Sequence, residues 1–191
     1  MAVSTPIAQR PAVGKLLAIV LAGAAVSVFL GVYGSVHDPT GEETLHFFFS
    51  TMLGFKSWFT TFALVFALVQ ILTALRLYDR VHVPRTLPGW WGDAHRLSGT
   101  LALLCSIPVA YHCLWSLGFD GGRGGTRVLI HSIVGCFLYG VFVVKVTSVR
   151  TRRLPGWTLP VVGGSVFAAL VVIWLTSSLW FFTNPDFPDK F

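Results

Sequence analysis

Five apolar runs divide the chain, at about 16–36, 58–77, 94–119, 128–149 and 159–182. Each meets the roughly 20 residues that a helix needs to cross a bilayer. In hydrocarbon the backbone must satisfy its own amides and carbonyls, and a run of this length does so as a helix. The expected fold is therefore all-α, a single membrane bundle of five transmembrane helices spanning residues 1–191. Composition agrees: 54% of residues are hydrophobic and 12% charged, against about 25% charged in a soluble domain. The first run follows Arg10 and Lys15, as a secretory signal would. It is longer than the roughly 7–15 residues of a signal core and reads as a retained helix.

Charge placement sets the expected orientation. With the N-terminus in the cytoplasm, the inner ends hold Arg10, Lys15, Arg76, Arg80, Arg85, Arg96, Lys145, Arg150, Arg152 and Arg153, ten of the 14 basic residues. Asp38, Glu42, Glu43, Asp120, Asp186 and Asp189 fall outside with Lys56, Arg123, Arg127 and Lys190. This bias predicts an N-in, C-out protein of the cell membrane, multi-pass, in contact with membrane lipid. No basic tract interleaved with aromatics lies outside the apolar runs, so nucleic acid is not an expected partner.

Two cytoplasmic loops echo each other, "RTLPGWW" from Arg85 and "RRLPGW" from Arg152. Pro and Gly stop the preceding helix, and Trp anchors at headgroup level. The echo reads either as a duplicated helical hairpin or as convergent loop chemistry. The histidines do not repeat with it, since the same offset carries His112 to Leu179 and His95 to Val162. The first outer loop, "TGEETLHFFFSTMLGF", pairs Thr40 with Glu43 as a capping box. Leu45, Phe48, Phe49 and Met52 follow at helical spacing, and Gly54 is a plausible stop. A short amphipathic outer interfacial helix is expected there.

Ionisable groups inside membrane spans are costly and by default mark function. His112 lies near the end of the third run and His131 near the start of the fourth. At about 1.5 Å per residue, they sit about 12 Å and 6 Å below the outer ends of their helices. Gly135, on the same face as His131, offers bare backbone to a flat ring, and Pro108 frees a carbonyl near His112. Tyr111, Trp115, Phe119, Phe137 and Tyr139 supply aromatic wall. No carboxylate lies nearby at depth, as a hard cation would require. His112 and His131 are the expected axial metal ligands of a haem b, with Gly135 as the packing position and His46 as a reserve ligand. His95 is 17 residues from His112, which leaves the two about 100° apart around a helix. His95 and Arg96 are expected instead to meet headgroups, a partner subunit or a quinone.

The segment carrying "AHRLSG", "PVAYHC" and "IHSIVGC", residues 93–149, resembles transmembrane b-type cytochromes of the cytochrome b and ferric-reductase kind. The whole chain, with "LPGW" added, resembles an uncharacterised actinobacterial family of multi-pass membrane proteins. The resemblance implies an electron-transfer subunit with one outer-leaflet haem. It implies a quinone and a protein redox partner as well, of which a Rieske-type protein is one form. In related cytochromes the two histidines of one helix share a face, and here they do not, so one haem is expected rather than two.

Cys105, Cys113 and Cys136 lie within the runs without a CxxC spacing and read as small packing residues. Copper held by His112, Cys113, His131 and Cys136 is the competing metal reading. A metal-free structural or assembly subunit of a respiratory or transport complex is the alternative function. No nucleotide-binding motif or catalytic triad is present, so whether the chain is itself an enzyme stays open.

Overall fold

The computed structural model describes residues 13–43, 45–119 and 124–184. Of the residues used in the charge reading, Arg10, Asp120, Arg123, Asp186, Asp189 and Lys190 lie outside these. The described chain forms α1 (Val13–Val36), α2 (Met52–Leu77), α3 (Trp91–Tyr111), α4 (Thr126–Arg150), α5 (Thr158–Trp174) and a last turn α6 (Trp180–Thr183). Two wide turns interrupt the regular spacing. His112–Ser116 extends α3, and Leu175–Leu179 joins α5 to α6. Counted with these extensions, five helices are long and apolar enough to cross a membrane. This is the architecture of a multi-pass membrane protein. Large side chains such as Leu17, Leu21, Val28, Phe29, Leu72 and Ile133 remain exposed on the flanks, as surfaces facing lipid do.

Spatial order differs from chain order. α1 packs on α4, α4 on α5, α5 on α2, and α2 on α3. α3 and α4 are consecutive in sequence, yet their backbones stand apart. Tyr139 bridges the gap at mid-height, its hydroxyl donating to the Ser106 carbonyl at 2.9 Å and meeting the Ser106 hydroxyl at 3.0 Å. The apolar core is Ala63 and Ala67 of α2 against Leu138, Ala169, Leu170 and Ile173. α1 meets α4 through backbone contact: a Cβ on Gly140 would stand 2.4 Å from the Gly23 carbonyl oxygen, and one on Gly23 2.6 Å from that of Gly140. Such small residues let two helices approach at backbone distance.

The two "LPGW" loops start their helices alike. The Pro88 carbonyl accepts from Trp91 N–H at 3.1 Å, and the Pro155 carbonyl from Thr158 N–H at 3.0 Å. Trp90 and Trp157 both remain exposed beside these turns.

Among the described residues of the expected amphipathic outer helix, 40–43 and 45–51, no helix is formed, and Gly54 lies inside α2 rather than stopping a helix. Capping decides this. The Thr51 hydroxyl accepts from Gly54 N–H at 3.1 Å, and the Glu43 carboxylate accepts from Met52 N–H at 3.4 Å. Both satisfy orphan donors of α2, so that helix begins six residues earlier than its hydropathy suggested. Phe47 and Phe49 of the loop pack back on α2, whereas Phe48 does not. Phe47 and Phe49 lie 5.6 and 5.8 Å from Phe55, whose ring lies tilted against Phe59 at 4.2 Å.

Candidate functional site

Both wide turns occur at one end of the bundle, which also holds Lys56, His112 and His131; we call it the histidine end. The opposite end carries Arg76, Arg80, Lys145 and Arg150. Pro108 lacks the amide that would close a regular turn of α3. Four residues later the spacing widens, and Leu117 N–H reaches back to the His112 carbonyl at 3.0 Å. Wide turns of this type recur at functional sites.

His112 is fully buried. Its Nε2 lies 2.8 Å from the Leu45 carbonyl and its Nδ1 3.3 Å from the Ser116 hydroxyl. A carbonyl only accepts, so Nε2 carries the proton and Nδ1 receives from Ser116. Both ring nitrogens are therefore engaged by the protein. Their work is to pin the 37–51 loop: Thr40 and Gly41 amides complete the seam by donating to the Trp115 and Ser116 carbonyls at 3.2 and 3.0 Å.

His131 is arranged differently. Its Nδ1 lies 3.0 Å from the Thr176 hydroxyl, whose own hydrogen goes to the Val172 carbonyl at 2.7 Å. Nδ1 is thus the donor, and Nε2 keeps its lone pair. That lone pair faces the Cys113 sulfur at 3.8 Å, and Lys56 lines the same cavity. Cys113 comes from the first wide turn and Thr176 from the second. The cluster opens on a cavity of about 630 Å³, lined also by Arg127, Ser132, Gly135, Cys136 and Trp180. Gly135 has open space where a Cβ would stand. Arg127 lies over the Trp180 ring, 4.0 Å from its centroid. One acid, Glu43, lines the rim.

The donor set does not fit a bis-histidine haem. Such a group needs two lone-pair nitrogens facing each other across the ring. His131 offers one, but His112 is turned toward α2 and the loop and does not line the cavity. The copper set is divided in the same way, with Cys113 and His131 together and His112 on the far side. Among the described residues no three His, Cys, Asp or Glu side chains converge as a metal site. His46 bonds within its own turn, Nδ1 donating to the Phe49 carbonyl at 2.8 Å.

A second cavity, of about 490 Å³, occupies the other end between α2, α3, α4 and α5. Ser106, Leu138, Tyr139 and Leu170 line both cavities and form the wall between them. His95 lines the second, its Nδ1 2.8 Å from the Thr73 hydroxyl. Arg96 pairs instead with the exposed Asp93. From the sequence alone, Lys56 and Lys145 have a part only in orientation, Cys113 is only a packing residue or copper ligand, and nothing points to Thr176. The signal available for both lysines was a cation inside an apolar helix.

The family model that matches is described as a family of unknown function, DUF6529, and it covers residues 16–189. The chain belongs to this family. No curated protein and no solved structure matches it.

Proposed function

We propose that this DUF6529 protein is a quinone-binding subunit of an electron-transfer chain in the cell membrane, with its arginine end in the cytoplasm. The excess of Arg and Lys at that end supports the orientation. The observation that carries the reading is the cavity at the histidine end. Its volume lies within the about 300–1,000 Å³ of small-molecule sites, its walls are largely apolar, and a few polar groups converge on it. Lys56 and Arg127 supply donors for a quinone carbonyl. The His131 lone pair supplies an acceptor for a quinol hydroxyl, and its contact with Cys113 is long enough to yield to a ligand. Oxidation of one quinol to quinone releases two protons and two electrons. His131 Nε2 takes one proton, the other leaves to the outer aqueous face, and the electrons pass to an extracytoplasmic protein redox partner.

The test is titration of the purified protein in lipid nanodiscs with a short-chain quinone, read by quenching of tryptophan fluorescence, because Trp180 lines the cavity. Saturable quenching is expected, weakened about tenfold by His131→Ala and by Lys56→Met, each removing a polar contact. No saturation in the wild type, or none of this weakening in either variant, refutes the reading. A reduced-minus-oxidised spectrum on the same sample addresses haem. Bands of the b type that vanish in His131→Ala would replace quinone by haem as the occupant.

A structural or assembly subunit is the second reading. The observation in its favour is Phe48, fully exposed at the tip of the 45–51 turn beside the partly exposed Phe47. Such aromatics suit a partner surface.

A further inference from the structure

The cavity at the arginine end holds a cation without an anion. Lys145 lines it, and its ammonium donates to the Gln70 side-chain carbonyl at 2.8 Å. The Gln70 amide nitrogen in turn donates to the His95 carbonyl. Gln70 is therefore fixed at both ends and brings no charge. His95 is fixed by Thr73, whose hydroxyl hydrogen goes to the Val69 carbonyl at 2.7 Å, so the imidazole is a donor at Nδ1. Arg80 and Tyr78 also line the space. Among the described residues no carboxylate does. The two acids at this end, Asp79 and Asp93, are exposed and pair outward with Arg76 and Arg96.

Lys145 lies five residues inside the end of α4, about 7 Å along the axis. That is headgroup depth, yet the side chain turns into the bundle toward Gln70 rather than out along its flank. A charge taken from water is costly unless an opposite charge meets it. The rest of the lining is apolar, chiefly Leu138, Phe142, Leu159, Val166, Phe167 and Leu170. Gly163 and Gly164 widen the space, with nothing within 4 Å of a Cβ at either. One end of the cavity is thus cationic, and the body is greasy and closed by Tyr139.

We infer that this cavity is a binding site for an anionic amphiphile. Its phosphate or carboxylate lies against Lys145 and Arg80, and its hydrocarbon chain runs between α3 and α5 toward Tyr139. The inference is independent of the quinone reading, which concerns the other cavity.

Native mass spectrometry of the delipidated full-length protein tests it, with phosphatidylglycerol, palmitic acid and phosphatidylcholine added separately. An anionic species is expected to be retained at least about tenfold more than phosphatidylcholine, the scale set by one buried charge pair. Lys145→Gln keeps the contact with Gln70 but removes the charge, and is expected to abolish this preference. Lys145→Arg is expected to keep it. Gly163→Leu fills the cavity without touching any charge and is expected to exclude the chain, which covers the case of a poorly folded Lys145→Gln. Retention of the phospholipid alone or of the fatty acid alone identifies the source of the anion. Equal retention of zwitterionic and anionic species, or an unchanged preference in both Lys145→Gln and Gly163→Leu, overturns the inference. Lys145→Gln is expected to leave quinone quenching intact, so failure of one proposal is separable from failure of the other.

Discussion

Lys56 and Lys145 each carry an ammonium into the apolar part of a helix, at opposite ends of the same bundle. Lys56 shares its cavity with a thiol, an imidazole and a glutamate. Lys145 meets one neutral amide that is itself tied down. The first cation belongs to a cluster of groups able to exchange protons. The second faces a cavity lined by no carboxylate among the described residues, which is why we infer a ligand that supplies the negative charge. A polar group in a membrane bundle is thus best read by what neutralises it. Depth alone would have ranked the two lysines together.

The comparison can be broken most sharply at His112. If this imidazole serves the loop rather than a ligand, His112→Ala should destabilise the fold by about 3 kcal/mol, combining a cavity with stranded hydrogen-bonding groups. Thermal unfolding would show it, and proteolysis within 37–51 should accelerate. His131→Ala, at the edge of open space, should cost much less. Equal losses for the two would mean that they act as a pair after all. A smaller effect is expected at the cysteines. Cys113 opens on the cavity, whereas Cys105 packs against the core. A membrane-permeant maleimide should label Cys113 about tenfold faster, following access, and a bound quinone analogue should protect it. Labelling at equal rates would deny that the cavity admits ligands. The mildest change is Tyr139→Phe, which removes the bridge from α4 to Ser106. It should cost about 1 kcal/mol and, if the wall between the cavities depends on it, let quinone binding respond to Lys145→Gln.

Much of this fold was legible in the residues because hydropathy is local. The run at 16–36 became Val13–Val36 and that at 128–149 became Thr126–Arg150, with differences of a turn or less. The start of α2 was missed because it is set by caps from Thr51 and Glu43, and capping outweighed the amphipathic period of the loop. At the site, helical geometry sets the adjacent residues His112 and Cys113 about 100° apart. It could not say which of them faces the cavity. That depends on Leu45, distant in sequence, whose carbonyl claims His112 and leaves Cys113 for His131. The wide turns were equally invisible, since only Pro108 hinted at one of them and no residue signals Leu175–Leu179.

The backbone contact of Gly23 with Gly140 bears on how the chain is made. α1 leaves the ribosome before α4, the helix it packs on, with α2 and α3 made between them. At about 5–20 residues per second, α1 waits on the order of ten seconds in the bilayer before α4 arrives. Its own hydropathy must hold it there, which suits a helix with so few buried residues and so apolar a composition. Docking of α1 on α4 is then a late event between two helices made well apart in time. A bulky residue at position 140 would leave α1 inserted but undocked, a substrate for membrane quality control rather than a misinserted chain.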